Sequence, residues 1–255
     1  MDRAKYFVRP FADRDYEALA AIDAKVNPEF HFSAEEQRHW EAQFMGPRLV
    51  NEKWVVEERA TGTVVAAGSM SHSAFSYDAR KFWASVQVGP GHRGRGIGQA
   101  LSALIESEAV SHQAVCLWTN VRKDDSRSLA FSHRHGFREL RRVWVSALDL
   151  TRSTHIEEAV RAGPLEREGI RFTRLSEEGP DRLEVRHKLF DLLDETSRDV
   201  PRLGEFSPIS FDQFVGEFDA PAFLPEAWFL AYDGETYVAM SNLEKSLTES
   251  DSLRV

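Results

Sequence analysis

The chain has 255 residues, of which 42% are hydrophobic, so it is long enough to bury the cores of two modest domains. Its 41 acidic side chains outnumber 32 basic ones, and the formal charge of −9 argues against general nucleic-acid binding, which depends on neutralising phosphates. The single cysteine, Cys116, excludes an intramolecular disulfide and a cysteine-cluster metal site, and we expect it to be a small buried residue of a strand.

The first part of the chain has the pattern of one strand followed by two helices. Tyr6–Phe11 is predicted to be a strand, and a helix capped near Asp13 follows it until Asn27-Pro28. Ser33 with Glu36 three positions later is a capping box, so a second helix is expected to begin there.

An antiparallel meander is predicted next. Trp54–Arg59 and Val64–Met70 alternate in hydrophobicity and are joined by the turn Ala60–Thr63, which indicates a β-hairpin. Phe82–Val88 has the pattern of a further strand, so a meander rather than a βαβ unit precedes the residues that follow.

The segment from Val86 to Leu101 is the most informative part of the chain about function. An alternating strand runs into a turn rich in glycine and arginine, and a helix begins at that turn. Bare glycines let backbone N–H groups converge, while the helix N-terminus and two arginines add positive charge. The pattern predicts a diphosphate cradle, and the residues expected to contact the cofactor here are Val86, Val88, Arg93, Gly94, Arg95, Gly96, Ile97 and Gly98.

Two cofactors compete for this turn. Gly89–Gly94 satisfies the dinucleotide pattern G-x-G-x-x-G, which also requires an acidic residue about 20 positions on, at the end of a second parallel strand. Here Glu106 and Glu108 fall inside the helix itself, so the context disfavours a nicotinamide dinucleotide and leaves it as a lesser alternative.

Three more elements are predicted after the glycine-rich turn. Ala114–Thr119 has the pattern of a short buried strand, and a helix is expected from about Asp125 to His135, ending at Gly136. Arg142–Leu150 alternates like a strand. The predicted order is therefore β-α-α-β-β-β-α-β-α-β.

Arg93–Gly98 also fits R-x-x-G-x-G, and this motif with the element order resembles the GNAT superfamily of N-acyltransferases over residues 6 to 150. The run Ser128–Phe131 followed by Gly136-Phe137 resembles a later helix of the same family. The resemblance implies an α/β fold with an α+β mixed sheet, acetyl-CoA as co-substrate, no metal, and loop amides that hold the pyrophosphate of coenzyme A.

The C-terminal part repeats the pattern of the beginning, which indicates two related domains. Ile170–Leu175 resembles the first strand, two helical patterns follow at Leu183–Leu193 and Phe211–Phe218, and Trp228–Gly234 with Tyr237–Leu243 resembles the hairpin. The arrangement resembles tandem GNAT proteins, a group that includes the mycothiol synthases.

The predicted domains are a GNAT acyl-CoA-binding domain at 1–150, a linker with a short helix at 151–168, and a partial GNAT-like domain at 169–255 without a glycine loop. Thr154 and Glu157 form the capping box of the linker helix. A naturally reduced copy and a chain that stops short of the full protein are both open.

The resemblance also implies roles in acyl transfer. The backbone N–H of Val88 would donate to the thioester carbonyl, and Asn120, Ser128 and Phe131 would lie on the pantetheine and adenine side of the cofactor. Many relatives place a tyrosine that protonates the departing thiolate at the position of Ser132, where a serine hydroxyl is a poorer match in reach and acidity.

The general base is not identified by the pattern. Relatives often carry a glutamate in the strand before the loop, but Trp83–Gln87 has no carboxylate. Side chains on segments that face the substrate side in this fold are candidates, as is ordered water. They are His72, Glu57, His31 and Tyr77. The segment that lines the acceptor pocket in this fold contains Glu29, Phe30 and Phe32.

These observations predict a cytoplasmic N-acetyltransferase that moves an acetyl group from acetyl-CoA to a small-molecule amine by direct transfer in a ternary complex. The N-terminal residues lack the apolar core of a signal peptide, and no segment has the roughly 20 apolar residues of a membrane span. The alternative is a catalytically decayed acyl-CoA-binding sensor or scaffold, which the absent tyrosine and glutamate motivate.

Overall fold

A computed structural model of the chain describes residues 1–46, 48–149, 169–249 and 252–254. Contacts within the chain divide it into two compact units. The first combines Met1–Thr119 with Phe172–Val255, and the second is Asn120–Arg171. The predicted capping box at Thr154 and Glu157 lies outside the described residues.

Five strands form the N-terminal sheet: β1 (Tyr6–Pro10), β2 (Asn51–Glu58), β3 (Thr63–Ser71), β4 (Lys81–Val88) and β5 (Cys116–Trp118). They lie in sequence order across the sheet. Neighbours from β1 to β4 are antiparallel, whereas β4 and β5 are parallel. The predicted meander and the mixed α/β sheet are confirmed, with β5 shorter than the segment expected from its pattern.

Three helices accompany this sheet: α1 (Tyr16–Val26), α2 (Ala34–Phe44) and α3 (Ile97–Ser111). The predicted capping box opens α2, because the Glu36 N–H donates to Ser33 Oγ at 3.1 Å while the Ser33 N–H donates to Glu36 Oε2 at 2.7 Å. α1 ends at Val26, directly before Asn27-Pro28, as the sequence predicts.

The face of the sheet that carries α3 is apolar. Gly68 of β3 permits this packing, because a Cβ atom there would lie only 3.2 Å from Leu101 Cδ2. Alternate residues of the strands point to this face and form one core with the helix. The core includes Tyr6, Val56, Ala66, Met70, Phe82, Ile97, Leu101 and Ile105.

The opposite face of the same strands is partly polar and carries α1. Ser69 and Ser71 of β3 and Ser85 and Gln87 of β4 alternate with the apolar residues and line a cavity on this side. The period of two along each strand therefore separates a dry core from a polar cavity.

The second unit contains one described helix, α4 (Ser126–Arg134). Asp125 caps it, since its carboxylate accepts the Ser128 N–H at 2.9 Å and the Ser128 hydroxyl at 2.7 Å. The helix stops at Gly136, whose φ is +80°, and the Phe137 N–H donates back to the Ser132 carbonyl at 3.1 Å. The predicted helix and its glycine stop are confirmed.

The predicted strand at Arg142–Leu150 is wrong over its described residues. Residues 142–149 are in no strand, and Val143, Trp144, Val145 and Leu148 are exposed. An alternating pattern becomes a strand only where a neighbouring backbone completes its hydrogen bonds, and no strand pairs with this segment within the described part of the chain.

The C-terminal part has the elements β6 (Ile170–Arg174), α5 (Leu175–Glu178), α6 (Leu183–Ser197), α7 (Phe211–Gly216), β7 (Trp228–Asp233) and β8 (Thr236–Asn242). The strands form a sheet in the order β6-β7-β8. Two short strands, β9 (Glu244–Lys245) and β10 (Leu253–Arg254), pair antiparallel after it. The strand and helix patterns predicted from residue 170 onward are therefore present, while the proposed domain boundaries stay predictions.

Side chains of α2 bond to the C-terminal part within the first unit. The Gln43 amide donates to the Gln213 carbonyl at 2.7 Å. Arg254 donates to Glu36 Oε1 at 2.9 Å and to the His31 carbonyl at 2.7 Å, so both ends of α2 are held.

Glu217, which follows α7, is partly buried close to a second carboxylate, that of Glu244. Burial, together with the charge of Glu244, raises the pKa of Glu217 to about 7, while a hydrogen bond from Gln43 acts in the opposite direction. The folded protein therefore binds a proton at this carboxyl more tightly than the unfolded chain does.

This raised pKa predicts a pH-dependent gain in stability from Glu217→Gln. The contribution of the protonated carboxyl is present below the ordinary pKa of 4.5 and is lost as pH rises through about 7. We expect the variant to exceed the parent by up to about 3 kcal/mol in free energy of unfolding at pH 8, and to match it near pH 4. Urea unfolding at both pH values measures this difference. The exposed Glu226→Gln is the control, and an equal difference at both pH values would contradict the prediction.

Candidate active site

β4 loses its pairing with β5 several residues before the strand ends, while its pairing with β3 continues. Its ladder with β3 runs from Ser71↔Trp83 to Ala66↔Val88, whereas its ladder with β5 covers only Lys81 to Trp83. From Ala84 to Val88 the other side of β4 is an open edge, with no strand beside it in the part of the chain that the structure describes. Sheet edges of this kind present unpaired backbone groups.

The alternation of an antiparallel ladder decides which backbone groups face the open edge. The Gly89 N–H donates to the Val65 carbonyl at 2.9 Å, so residues 89 and 65 form a hydrogen-bonded pair. The next pair, Val88 and Ala66, is therefore of the other type, and the Val88 N–H and carbonyl point away from β3. The Val86 and Val88 side chains pack against the α3 core, so these two residues offer backbone groups rather than side chains to the open edge.

The glycine loop, residues 89–96, connects the open edge to α3. Pro90–His92 is a single turn of 3₁₀ helix, and Gly94 and Gly96 have left-handed backbones with φ of +77° and +74°. The first hydrogen bond of α3 is from the Ala100 N–H to the Gly96 carbonyl at 3.1 Å, so the N–H groups of Ile97 and Gly98 precede the helical ladder. Such groups form an anion site at a helix N-terminus.

The two predicted arginines hold the loop in place. Arg95 donates to the Tyr6 hydroxyl at 2.6 Å and to the Gly91 carbonyl at 3.0 Å. Arg93 Nε donates to the Val88 carbonyl at 3.1 Å, along the open edge. These acceptors are uncharged, so both positive charges remain at the loop.

A cavity of about 240 Å³ lies on the polar face of the same sheet, between α1, α2 and the strands. Lys53 of β2 pairs with Glu41 of α2 at 2.6 Å, and the Tyr16 hydroxyl donates to Glu41 at 2.7 Å. On α1, Asp23 Oδ1 accepts from the Gln87 amide and from the Asn27 amide, each at 2.8 Å. Carboxylates from two helices therefore face one cavity.

Burial perturbs the ionisable side chains around Glu41. It lowers the pKa of Lys53, although the hydrogen bond and charge of Glu41 oppose this shift. Burial, followed by the hydrogen bond to Glu41, raises the pKa of Tyr16 well above its usual range. The tyrosine is therefore neutral at physiological pH, and its hydroxyl keeps its proton while donating a hydrogen bond to Glu41.

The four candidate bases from the sequence, His72, Glu57, His31 and Tyr77, are not among the described residues that line this cavity. His72 is buried against Phe82 with ring centroids 4.3 Å apart, its Nδ1 accepts the Val50 N–H at 2.9 Å, and burial lowers its pKa. Glu57 pairs with Arg9 at 2.9 Å.

The remaining two candidate bases differ in exposure. Tyr77 is exposed beside His72, whereas His31 is half-buried and uses its carbonyl to accept from Arg254. Their roles as bases stay predictions.

Of the predicted acceptor segment, Phe32 lines the cavity. Phe30 packs edge-on against Phe32 at 5.3 Å, and the Arg254 guanidinium lies 4.9 Å from the Phe32 ring. Glu29 is exposed, and Cys116 in β5 is half-buried rather than fully buried.

The remaining predicted residues belong to the second unit. Asn120 is exposed just after β5, and Ser128 is engaged by the Asp125 cap. Phe131 packs on His135 with ring centroids 4.5 Å apart. Ser132 is buried, and its hydroxyl donates to the Leu129 carbonyl at 3.0 Å. Their roles toward a cofactor stay predictions.

Sequence reasoning missed Asp23 and its partner Gln87. The two residues are far apart in the chain, and their amide–carboxylate contact depends on how α1 packs across β4. Asp23 belongs to no recognisable motif. Its one signal in the sequence is its position one helical turn after Leu19, which places both residues on the helix face that lines the cavity.

A mixed sheet with an open edge on its fourth strand, continued by a glycine loop at a helix N-terminus, defines a class of acyl-CoA-binding transferase. The family model described as "Acetyltransferase (GNAT) family" matches residues 10–137, half of the chain. The chain belongs to this family, whose general chemistry is acetyl transfer from acetyl-CoA.

The chain is similar to several solved structures at low sequence identity. A GCN5-related N-acetyltransferase from Sphaerobacter thermophilus is 20% identical with a TM-score of 0.65, and the match covers 98% of this chain and 74% of that chain. A Trypanosoma brucei acetyltransferase is 19% identical with a TM-score of 0.44, covering 56% and 99%. A Salmonella typhimurium protein solved with its cofactor acetyl-CoA is 21% identical with a TM-score of 0.43, covering 52% and 80%.

No curated protein gives a significant match to the chain. Within the described residues, no cluster of three or more histidine, cysteine or acidic side chains is arranged to hold a metal ion. No helix in the described part of the chain has both the length and the apolar character that a membrane span needs.

The loop geometry predicts that two glycines of the loop, Gly91 and Gly96, differ in how well they tolerate a side chain. Gly96 has a left-handed backbone, and a Cβ there would lie 2.6 Å from the Met1 nitrogen. We expect Gly96→Ala to lower the free energy of unfolding by about 1–2 kcal/mol. Gly91→Ala should change it by less than about 0.5 kcal/mol, because nothing lies within 4 Å of its Cβ position. Urea unfolding of both variants compares them, and equal losses would contradict the loop conformation.

Proposed function

We propose that this protein is an N-acetyltransferase that moves an acetyl group from acetyl-CoA to the amine of a small molecule, by direct transfer in a ternary complex. The single observation that carries the proposal is the continuity of the open edge of β4 with the glycine loop. One backbone segment thereby offers an outward N–H at Val88 and, a few residues on, an anion site at the start of α3.

The residues present fit coenzyme A. Gly94 and Gly96 give the loop its two left-handed residues without side chains, and the amides of Ile97 and Gly98 with the charges of Arg93 and Arg95 would hold a diphosphate. When bound, acetyl-CoA supplies an activated acetyl thioester. The Val88 N–H would then donate to the thioester carbonyl oxygen and stabilise the negative charge that develops there.

The acceptor amine would occupy the cavity on the polar face, which is bounded by β4 as well as by α1 and α2. This arrangement supports direct transfer, because the strand that would hold the thioester also forms one wall of the acceptor pocket. The proton donor to the departing thiolate is proposed to be water or Ser132, whose hydroxyl would have to leave the Leu129 carbonyl to act.

We also propose that residues 169–255 are a partial second GNAT-like domain. The recurrence of strand, helices, and two strands in the sheet order β6-β7-β8 supports this proposal, because β1, β2 and β3 are ordered in the same way. The described part of this region contains no second glycine-rich loop. We place the cofactor in the N-terminal part alone.

The cofactor site predicts that a charge reversal at Arg93 weakens coenzyme A binding. We expect calorimetric titration to give binding to the parent and an affinity at least about tenfold lower for Arg93→Glu, because a carboxylate then faces the diphosphate. Arg14→Glu makes the same change of charge beyond the far end of β1 and should bind like the parent, since Arg95 places the loop near the start of that strand.

The outcomes separate the candidate functions. Absence of coenzyme A binding by the parent would overturn the proposal, and binding of NADH instead would favour the dinucleotide alternative. Release of the coenzyme A thiol from acetyl-CoA in the presence of mixed primary amines would support the transferase. Binding of acetyl-CoA without turnover of any amine would favour the sensor or scaffold.

A further inference from the structure

Asp23 has an unusual environment for a carboxylate in a cavity. Both of its hydrogen bonds come from neutral amides, Asn27 and Gln87, and both go to Oδ1. In the described part of the chain, Oδ2 has no hydrogen-bond donor and the carboxylate has no Lys, Arg or His within ion-pair distance. One oxygen of a half-buried carboxylate is thus held and oriented while the other is available.

The other charges at the cavity cancel. Glu41 of α2 pairs with Lys53 of β2 at 2.6 Å, and its second oxygen also accepts from Tyr16 and Asn51. Asp23 therefore leaves the cavity with one uncompensated negative charge. A cation is the ligand that such a site favours.

Apolar and aromatic surface accompanies this charge. Phe32 and Trp40 line the same cavity, and both residues are exposed to solvent. Aromatic faces attract cations and bury the apolar body of a ligand. The cavity volume of about 240 Å³ lies below the range of drug-sized pockets, so the ligand is small.

We propose that Asp23 is a catalytic residue of the acetyl transfer: it binds the ammonium group of a small primary amine with an aromatic or apolar body, and it removes the proton that blocks nucleophilic attack. This inference rests on the proposed transferase function. It also supplies from α1 the carboxylate that the residues of β4 lack.

The proposed step balances as follows. The ammonium group loses one proton to Asp23 Oδ2, and the freed nitrogen lone pair forms the bond to the acetyl carbon. The carbon–sulfur bond breaks, and its electron pair leaves with sulfur. Of the three original N–H protons, one remains on the amide product, one reaches water through Asp23, and one ends on the thiol.

Gln87 acts as a positioning residue in this scheme. Its amide donates to Asp23 Oδ1 from β4, two residues before the glycine loop, and thereby fixes the carboxylate against the strand with the open edge. Gln87→Glu would place a carboxylate about one hydrogen-bond length from the position of the Asp23 carboxylate.

The test compares Asp23→Asn with the parent by amine binding and by turnover. The amine panel is 2-phenylethylamine, tyramine, tryptamine, cadaverine and spermidine, with 3-phenylpropionate as an anion of similar shape. We expect the parent to bind the aromatic amines but not the anion, and Asp23→Asn to weaken amine binding at least about tenfold. With acetyl-CoA, kcat/KM at pH 7 should fall about a hundredfold.

The pH profile separates proton removal from a merely structural effect. In Asp23→Asn, kcat/KM should rise with the fraction of unprotonated amine in solution, so the gap to the parent narrows as pH increases. The other ionisable groups that line the cavity, Glu41 and Lys53, are unchanged in the variant, as is Tyr16, which bonds to Glu41. Adding Gln87→Glu to Asp23→Asn should recover at least tenfold of the loss, because the carboxylate is restored from the neighbouring strand.

Matched measurements keep failure of this proposal distinct from failure of the transferase function. Glu17→Gln removes a charge from the exposed side of α1 and should behave as the parent. Coenzyme A affinity and the thermal unfolding midpoint report whether each variant is folded. If the parent binds coenzyme A but no amine of the panel, or if a folded Asp23→Asn keeps parental kcat/KM, the role of Asp23 is overturned while the cofactor site stands.

Discussion

β4 and β5 share a parallel ladder of only three residue pairs, and the candidate site depends on this early separation. Beyond Trp83, β4 stays attached to β3 on one side and is open on the other. The alternation of the antiparallel ladder turns the Val88 N–H outward, and Gly89 closes the ladder immediately before the glycine loop. A longer β5 pairing would cover the backbone groups that the proposed chemistry uses.

The strands around this edge serve two different environments. Successive residues point to opposite faces, so β3 gives Ala66 and Met70 to the core under α3 and Ser69 to the cavity under α1. Gly68 lets Leu101 approach closely and anchors α3, whose N-terminus completes the anion site. Packing on one face thereby fixes the loop, while the polar face lines the cavity that we propose for the acceptor.

The C-terminal part contributes to the same site through α2. Arg254 bonds to Glu36 near the start of this helix, and Gln213 bonds near its end. Trp40 and Glu41 of α2 line the cavity between these two attachments. The C-terminal residues therefore hold one wall of the cavity in place, even though they offer no glycine loop within their described part.

Local patterns in the sequence determined most elements of the sheet, the capping box at Ser33 and the glycine loop, because caps, turns and strand alternation depend on residues close together in the chain. The same reasoning failed at Arg142–Leu150, since a strand also needs a partner that local alternation cannot specify. Tertiary structure alone decided that β4 parts from β5 after Trp83 and that Asp23 meets Gln87. Both depend on how helices and strands pack across long separations, and no short motif encodes such packing.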